Sequence, residues 1–232
     1  MDYNNLNLGN SIFDGLNDQN GLMICGYEWG FSKKDEQEQE SGSWVEPSEK
    51  IAHTFANKAR YHGDIASTWR YDNSIKKWFE LWGFPLDNQE LGSDFEKSIV
   101  QTNWADTQGH SIAQETNKFL LEEQIDNFIK HITVLKPRVI IFMGRNLIDY
   151  LQNPVVLPKF VEVMGEVTKR KQVVQKDSLG TRFKVFFQTF EHCQIICFPH
   201  PSGSHGISYE YIELFRPEMT KILSEYKNER GF

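Results

Sequence analysis

Cysteine is scarce in this chain: Cys25, Cys193 and Cys197 are the only three in 232 residues. An odd count without close pairing does not build a disulfide framework. Three thiols also fall short of the four that a structural zinc or iron–sulfur centre takes. Cys25 and Cys197 lie inside apolar runs, so buried free thiols in a reducing compartment are expected, with no metal and no cofactor. Long apolar runs are missing too, since none approaches the roughly 18 residues of a membrane span. Met1 to Asn5 lacks the charged-then-apolar pattern of a secretory leader, and a cytoplasmic location is the expectation. Basic residues are outnumbered 25 to 32, for a net charge of −7. That balance argues against tight non-specific nucleic-acid binding by the chain as a whole and leaves room only for a local basic patch.

What the sequence does have is apolar and aromatic content. Hydrophobic residues make up 39% and charged residues 25%, enough to bury a core and to exclude wholesale disorder. Short apolar runs at Gly21–Cys25, Ser98–Asn103, Val139–Met143, Lys184–Thr189 and Gln194–Phe198 read as strands, the last two joined by a hairpin or a tight link. Helical patterning covers Ile51–Arg60, Asn73–Trp82 and Ile112–Leu135, begins again at Leu147, and closes the chain over Tyr209–Tyr226 with Pro217 as a kink. Residues 32–43 are polar and read as an exposed loop, with 152–183 irregular. The alternation predicts one domain over residues 1–232: a three-layer α/β/α sandwich around a mainly parallel sheet, and a monomer.

Open α/β sheets bind ligands beyond the carboxyl ends of their strands. Read to their ends, the strands deliver Gly26-Tyr27-Glu28-Trp29-Gly30, Asn103-Trp104, Gly144-Arg145 and His200-Pro201-Ser202-Gly203-Ser204-His205. A carboxylate, a carboxamide, imidazoles, hydroxyls, a guanidinium and aromatic rings would thus share one edge.

These segments, in this order, resemble the uracil-DNA glycosylase superfamily. The likeness rests on the glycine-bounded loop 26–30, Thr102-Asn103, the strand segment Lys136–Arg145 and His200-Pro201-Ser202, and it covers most of the chain. The chain departs from the family pattern at Trp29, where most members carry proline, at Gly203 and at Glu28, where the best-known members carry Asp or Asn. It also lacks the four cysteines of the cluster-binding branches.

The resemblance implies a metal-independent hydrolase that flips a damaged base, uracil first of all, and cleaves its N-glycosidic bond. It gives His200 a hydrogen bond to uracil O2 as charge develops on the leaving base. It gives Glu28 a water, or the cationic sugar. Asn103, donor and acceptor at once, would read the pyrimidine edge. Gly26, Tyr27, Trp29, Gly30 and Phe31 would line the base pocket, with Phe31, Trp44 or Trp104 stacking on the base. Ser202, Ser204 and His205 would approach the backbone, with Ile207 as a wedge and Arg145 on phosphate. The partner is DNA, single- or double-stranded, or a nucleobase or nucleotide. A non-catalytic nucleotide- or DNA-binding module is the alternative. A serine triad built on Ser202 or Ser204 is disfavoured, because the Gly-x-Ser-x-Gly elbow is absent.

Overall fold

A computed structural model describes residues 3, 5–30, 41, 51–86, 90–109, 116–176, 182–202 and 207–232. Among the described residues there are eight strands: β1 (Leu22–Gly26), β2 (Trp29–Gly30), β3 (Ile99–Asn103), β4 (Gln108–Gly109), β5 (Val139–Met143), β6 (Val167–Val174), β7 (Val185–Phe190) and β8 (Gln194–Phe198). Six of them form one sheet in the order β3-β1-β5-β8-β7-β6, and β2 pairs with β4 apart from it. β3, β1, β5 and β8 run parallel. β7 turns back antiparallel to β8, which makes 190–194 the hairpin turn, and β6 pairs antiparallel to β7.

β1, β5 and β8 are apolar at nearly every position because both of their faces are covered. Alternate residues serve opposite faces. Met23, Cys25, Ile140, Phe142, Ile195 and Cys197 join one core with Phe128, Ile132, Leu147 and Phe160. Leu22, Ile24, Ile141, Met143, Ile196 and Phe198 join the other with Ile75, Trp78, Phe79, Phe215 and Met219. Two cores with a sheet between them are the three expected layers, α/β/α.

The helices are α1 (Ala59–His62), α2 (Arg70–Leu81), α3 (Asp94–Lys97), α4 (Glu122–Leu135), α5 (Asn146–Leu151), α6 (Val156–Met164), α7 (Tyr209–Glu213) and α8 (Arg216–Arg230). The Ile75–Phe79 periodicity predicts α2 well. Three expectations need correction. Residues 51–58 are not helical, and only α1 forms there. Of the helix expected over 112–135, residues 112–115 lie outside the described residues and the α-helix starts at Glu122: Leu121 is extended at ψ 146° and a 3-10 turn, Thr116–Leu120, precedes it. The closing helix is two helices, and Pro217 sits in the first turn of α8, where its missing N–H costs nothing, rather than kinking a longer one.

The irregular stretch also hides strand β6. Its sequence, Val-Thr-Lys-Arg-Lys-Gln-Val-Val, has little apolar alternation, because an edge strand shares only one side with a neighbour and can carry charge. The polar loop 32–43 lies outside the described residues apart from exposed Ser41. Among the described residues no helix is long and apolar enough to cross a membrane.

Candidate functional site

The chain leaves β1, pairs β3 on one side of it, then crosses to place β5 on the other. This reversal of strand order makes the carboxyl edge the candidate ligand crevice, since α/β sheets take their ligands there. Register brings its members level: Gly26 pairs with Asn103, and Met143 with Phe198.

Tyr27 is the centre of the crevice. Its hydroxyl accepts the Asn146 N–H at 3.0 Å. Its ring occupies the space a side chain would need at Gly144, where a Cβ would lie 2.1 Å from Tyr27 Cε2 and φ is +157°. Only glycine permits that approach. Asn103 closes over Gly26 in the same manner, its Oδ1 2.4 Å from where a Cβ would stand. Gly26 and Gly144 are therefore glycine because neighbouring side chains fill the space.

His200 follows β8 and lies against two rings. Tyr27 stacks on it at 6.2 Å and 23°, and Tyr71 from α2 meets it at 5.4 Å and 46°. Its Nδ1 accepts the Ser202 backbone N–H at 3.3 Å. An N–H can only donate, so Nδ1 is the unprotonated nitrogen and Nε2 carries the hydrogen of the neutral ring. Burial disfavours the imidazolium and pushes the His200 pKa down to about 4. At neutral pH His200 is a neutral donor held by aromatic walls.

Two further polar atoms reach this region without hydrogen-bond partners among the described residues, Asn103 Nδ2 and Tyr71 Oη, both enclosed. Burying a polar group unpaired costs about 1–3 kcal/mol, so these atoms are suited to a polar ligand. Tyr71 is a site residue that the strand-end reading misses. It arrives from the first turn of a helix, where only its amphipathic surroundings are legible.

Glu28 is differently placed. Lys118 Nζ lies 2.8 and 2.7 Å from its two carboxylate oxygens, and Thr107 Oγ1 donates to Oε2 at 2.8 Å. The Glu28 side chain is 6% exposed and that of Lys118 is 18%. Gly109 leaves room for it, since a Cβ there would meet Glu28 Oε1 at 2.3 Å. The carboxylate is charge-compensated, and none of its hydrogen bonds joins it to the His200 group. Lys118 and Thr107 carry no sequence signal, because they are distant in the chain and ordinary surface types.

The other expected residues divide clearly. Trp29 turns toward the N-terminal segment, where its Nε1 donates to Asn7 Oδ1 and its ring packs over Gly9. Gly30 pairs with Gly109 in the small sheet. Ser202 hydroxyl lies 3.3 Å from His200 Nδ1. Trp104 is not a base platform: it is fully buried, stacked on Phe128 at 4.0 Å and 9°, with Nε1 donating to Phe119 O at 2.8 Å. Ile207 packs partly against the core beside α7 and α8 instead of standing out as a wedge. Arg145 is exposed and pairs with Asp149 at 3.6 Å. Phe31, Trp44, Ser204 and His205 lie outside the described residues.

A second polar group supports α2 from below. Buried Lys58 bonds Asp72 at 2.8 Å and reaches Gln101 of β3. Burial lowers the Lys58 pKa while Asp72 opposes the shift, and the pair ties α2, hence Tyr71, to the sheet.

The partly buried His200 and the buried His53 and His131 give stability a pH dependence. The His200 pKa falls from 6.5 to about 4 on folding, and burial lowers those of His53 and His131 as well. Between pH 6.5 and about 4 the unfolded chain therefore binds more protons, so stability is full above 6.5 and is lost as pH falls through that window. Thermal melting should drop across it, and His200→Gln should flatten part of the drop. An unchanged pH slope in that variant would show that His200 titrates normally.

No protein-family model matches the chain, and no curated protein matches it significantly.

Proposed function

We propose that the crevice holds a flipped pyrimidine base, uracil first among them, and that the protein is a metal-independent DNA glycosylase. The observation that carries this reading is His200: a partly buried, neutral imidazole whose Nδ1 accepts from the main chain so that Nε2 carries the hydrogen, beside the Asn103 amide nitrogen, which has no hydrogen-bond partner among the described residues. In hydrolysis the bond from base N1 to sugar C1′ breaks and both electrons leave with the base. Charge collects on O2, where a fixed neutral donor stabilises it most as it develops. A protonated imidazole would be a stronger acid but costly at this burial, so the neutral ring is the form the site supports.

Asn103 meets the base edge, with Tyr71 Oη as a second polar contact and Tyr27 as an aromatic wall. Water adds to C1′ as the base departs, its oxygen forming the new bond to C1′ while one of its protons ends on the base anion, giving an abasic sugar hydroxyl and neutral uracil. Glu28 has the water-orienting role in this reading. Its oxygens offer about four acceptor directions, of which three are taken by Thr107 and Lys118, leaving one for a water. With Lys118 cancelling its charge, Glu28 orients and does not supply net negative charge to the sugar.

That same ion pair favours the second reading, a binding module that holds a nucleotide or DNA without turnover. Incubation with single- and double-stranded uracil-containing oligonucleotides separates the two. Release of free uracil, leaving an abasic strand, supports the glycosylase. Saturable uracil or nucleotide binding, with no base released at high protein concentration, selects the binding module. Asn103→Ala should lower release or binding by about 10-fold or more, the loss of one good polar contact to the base.

A further inference from the structure

The chain is acidic, yet residues 167–190 hold six basic residues, Lys169, Arg170, Lys171, Lys176, Arg182 and Lys184, against one acid, Asp177. The described part of this segment forms β6 and β7, paired antiparallel at one side of the sheet. Lys169 and Arg170 on β6 and Lys184 at the start of β7 are exposed, and no ion pair of theirs occurs among the described residues. Val174 pairs with Val185, and Phe186 with Cys197 of β8. The C-terminal end of β6, the start of β7 with Lys184, and the C-terminal end of β8 therefore lie at the same sheet edge as the crevice, whereas Lys169 and Arg170 stand toward the opposite end, Lys169 pairing with Thr189, which pairs with Gln194 at the start of β8, where Glu166 and Glu191 also meet.

The basic row is also physically joined to the crevice mouth. Lys171 Nζ lies 2.9 Å from Asp149, which pairs with Arg145 as well. Both cations sit over the Phe186 ring, at 5.7 and 6.0 Å. Arg145 directly follows Gly144, on which Tyr27 rests. From Lys169 and Arg170 through Lys171 to Arg145, positive charge runs along the edge strand and ends beside Tyr27.

We infer that this row is a track for the phosphodiester backbone of DNA, leading one strand to the crevice. Local positive charge on an acidic protein attracts a polyanion only at that place, which gives orientation as well as affinity. The extended strand suits the partner, because eight residues at about 3.3 Å each span several phosphates. Charged edge strands also guard against edge-to-edge association, and the β6–β7 register is irregular on both sides of Lys169, which serves that end. The two roles give different results on mutation.

The test uses undamaged 20-nucleotide DNA, single-stranded and duplex, and an RNA of the same sequence, so it does not depend on base release. Fluorescence anisotropy is read at several salt concentrations for the full chain and for the variant K169Q/R170Q/K184Q. The expected result is salt-dependent DNA binding that weakens at least about tenfold at low salt in the variant, with a log–log salt slope shallower by about 2. Lys221→Gln, which removes an exposed charge on α8, should change neither. Equal melting temperatures establish that the variants are folded. The inference is overturned if wild-type protein shows no DNA binding at low salt, or if the triple variant keeps wild-type affinity and slope. It is also overturned if the variant self-associates with DNA affinity unchanged, which would make the row edge protection, or if RNA binds and neither DNA form does. Failure here with uracil release intact would remove the track and leave the glycosylase reading standing.

Discussion

Replacing His200 with alanine should cut the single-turnover rate of uracil release by about 10²–10³-fold, the usual cost of deleting one donor at developing negative charge. Substrate affinity should change far less, because the donor gains most of its strength as the bond breaks. The pH profile carries a second signature. Since the neutral ring is active and burial holds its pKa at about 4, the limb due to His200 should rise through pH 4 and stay flat through neutrality. A limb rising toward acid below pH 6.5 would mean that the imidazolium is the working form. Ser202→Ala leaves the backbone N–H to His200 Nδ1 in place and should retain most activity, because the tautomer is set by the main chain.

Substituting Lys118 by methionine should cost about 3–5 kcal/mol of folding stability, since breaking a buried ion pair strands the partner charge. Glu28 would then keep only the Thr107 hydroxyl among its present partners. The double variant E28Q/K118M should recover most of the loss, because no unpaired charge remains. Urea unfolding of the four proteins closes the cycle. Equal losses in K118M and the double variant would show that the contact acts through packing and not charge. The same series bears on chemistry: E28Q alone should lower base release if Glu28 orients the water, and leave it unchanged if the pair only braces the loop after β1.

Much of this architecture was legible in the sequence because its physical signals are local. Five-residue runs such as Val139–Met143, short and β-branched, read as buried strands, and Ile75, Trp78 and Phe79 mark one face of α2. The strand ends then follow, and with them Tyr27, Asn103 and His200. The missing parts depend on tertiary partners. β6 is an edge strand whose charges hide its conformation. The 3-10 turn before Glu122 breaks a pattern that periodicity runs straight through. Trp104 looks available next to Asn103, yet one residue beyond a strand end is still inside the core. The pinning of Glu28 requires Thr107 and Lys118, about eighty and ninety residues along the chain, and Tyr71 enters from a helix that no strand-end reading visits.

Nitrogen-15 NMR of the His200 ring, in the protein alone and on addition of uracil, tests the central claim most directly. The account predicts a neutral ring between pH 5 and 8 with hydrogen on Nε2, and a shift of that Nε2 proton when uracil binds. Hydrogen on Nδ1, a charged ring at pH 7, or an Nε2 signal indifferent to saturating uracil would contradict it.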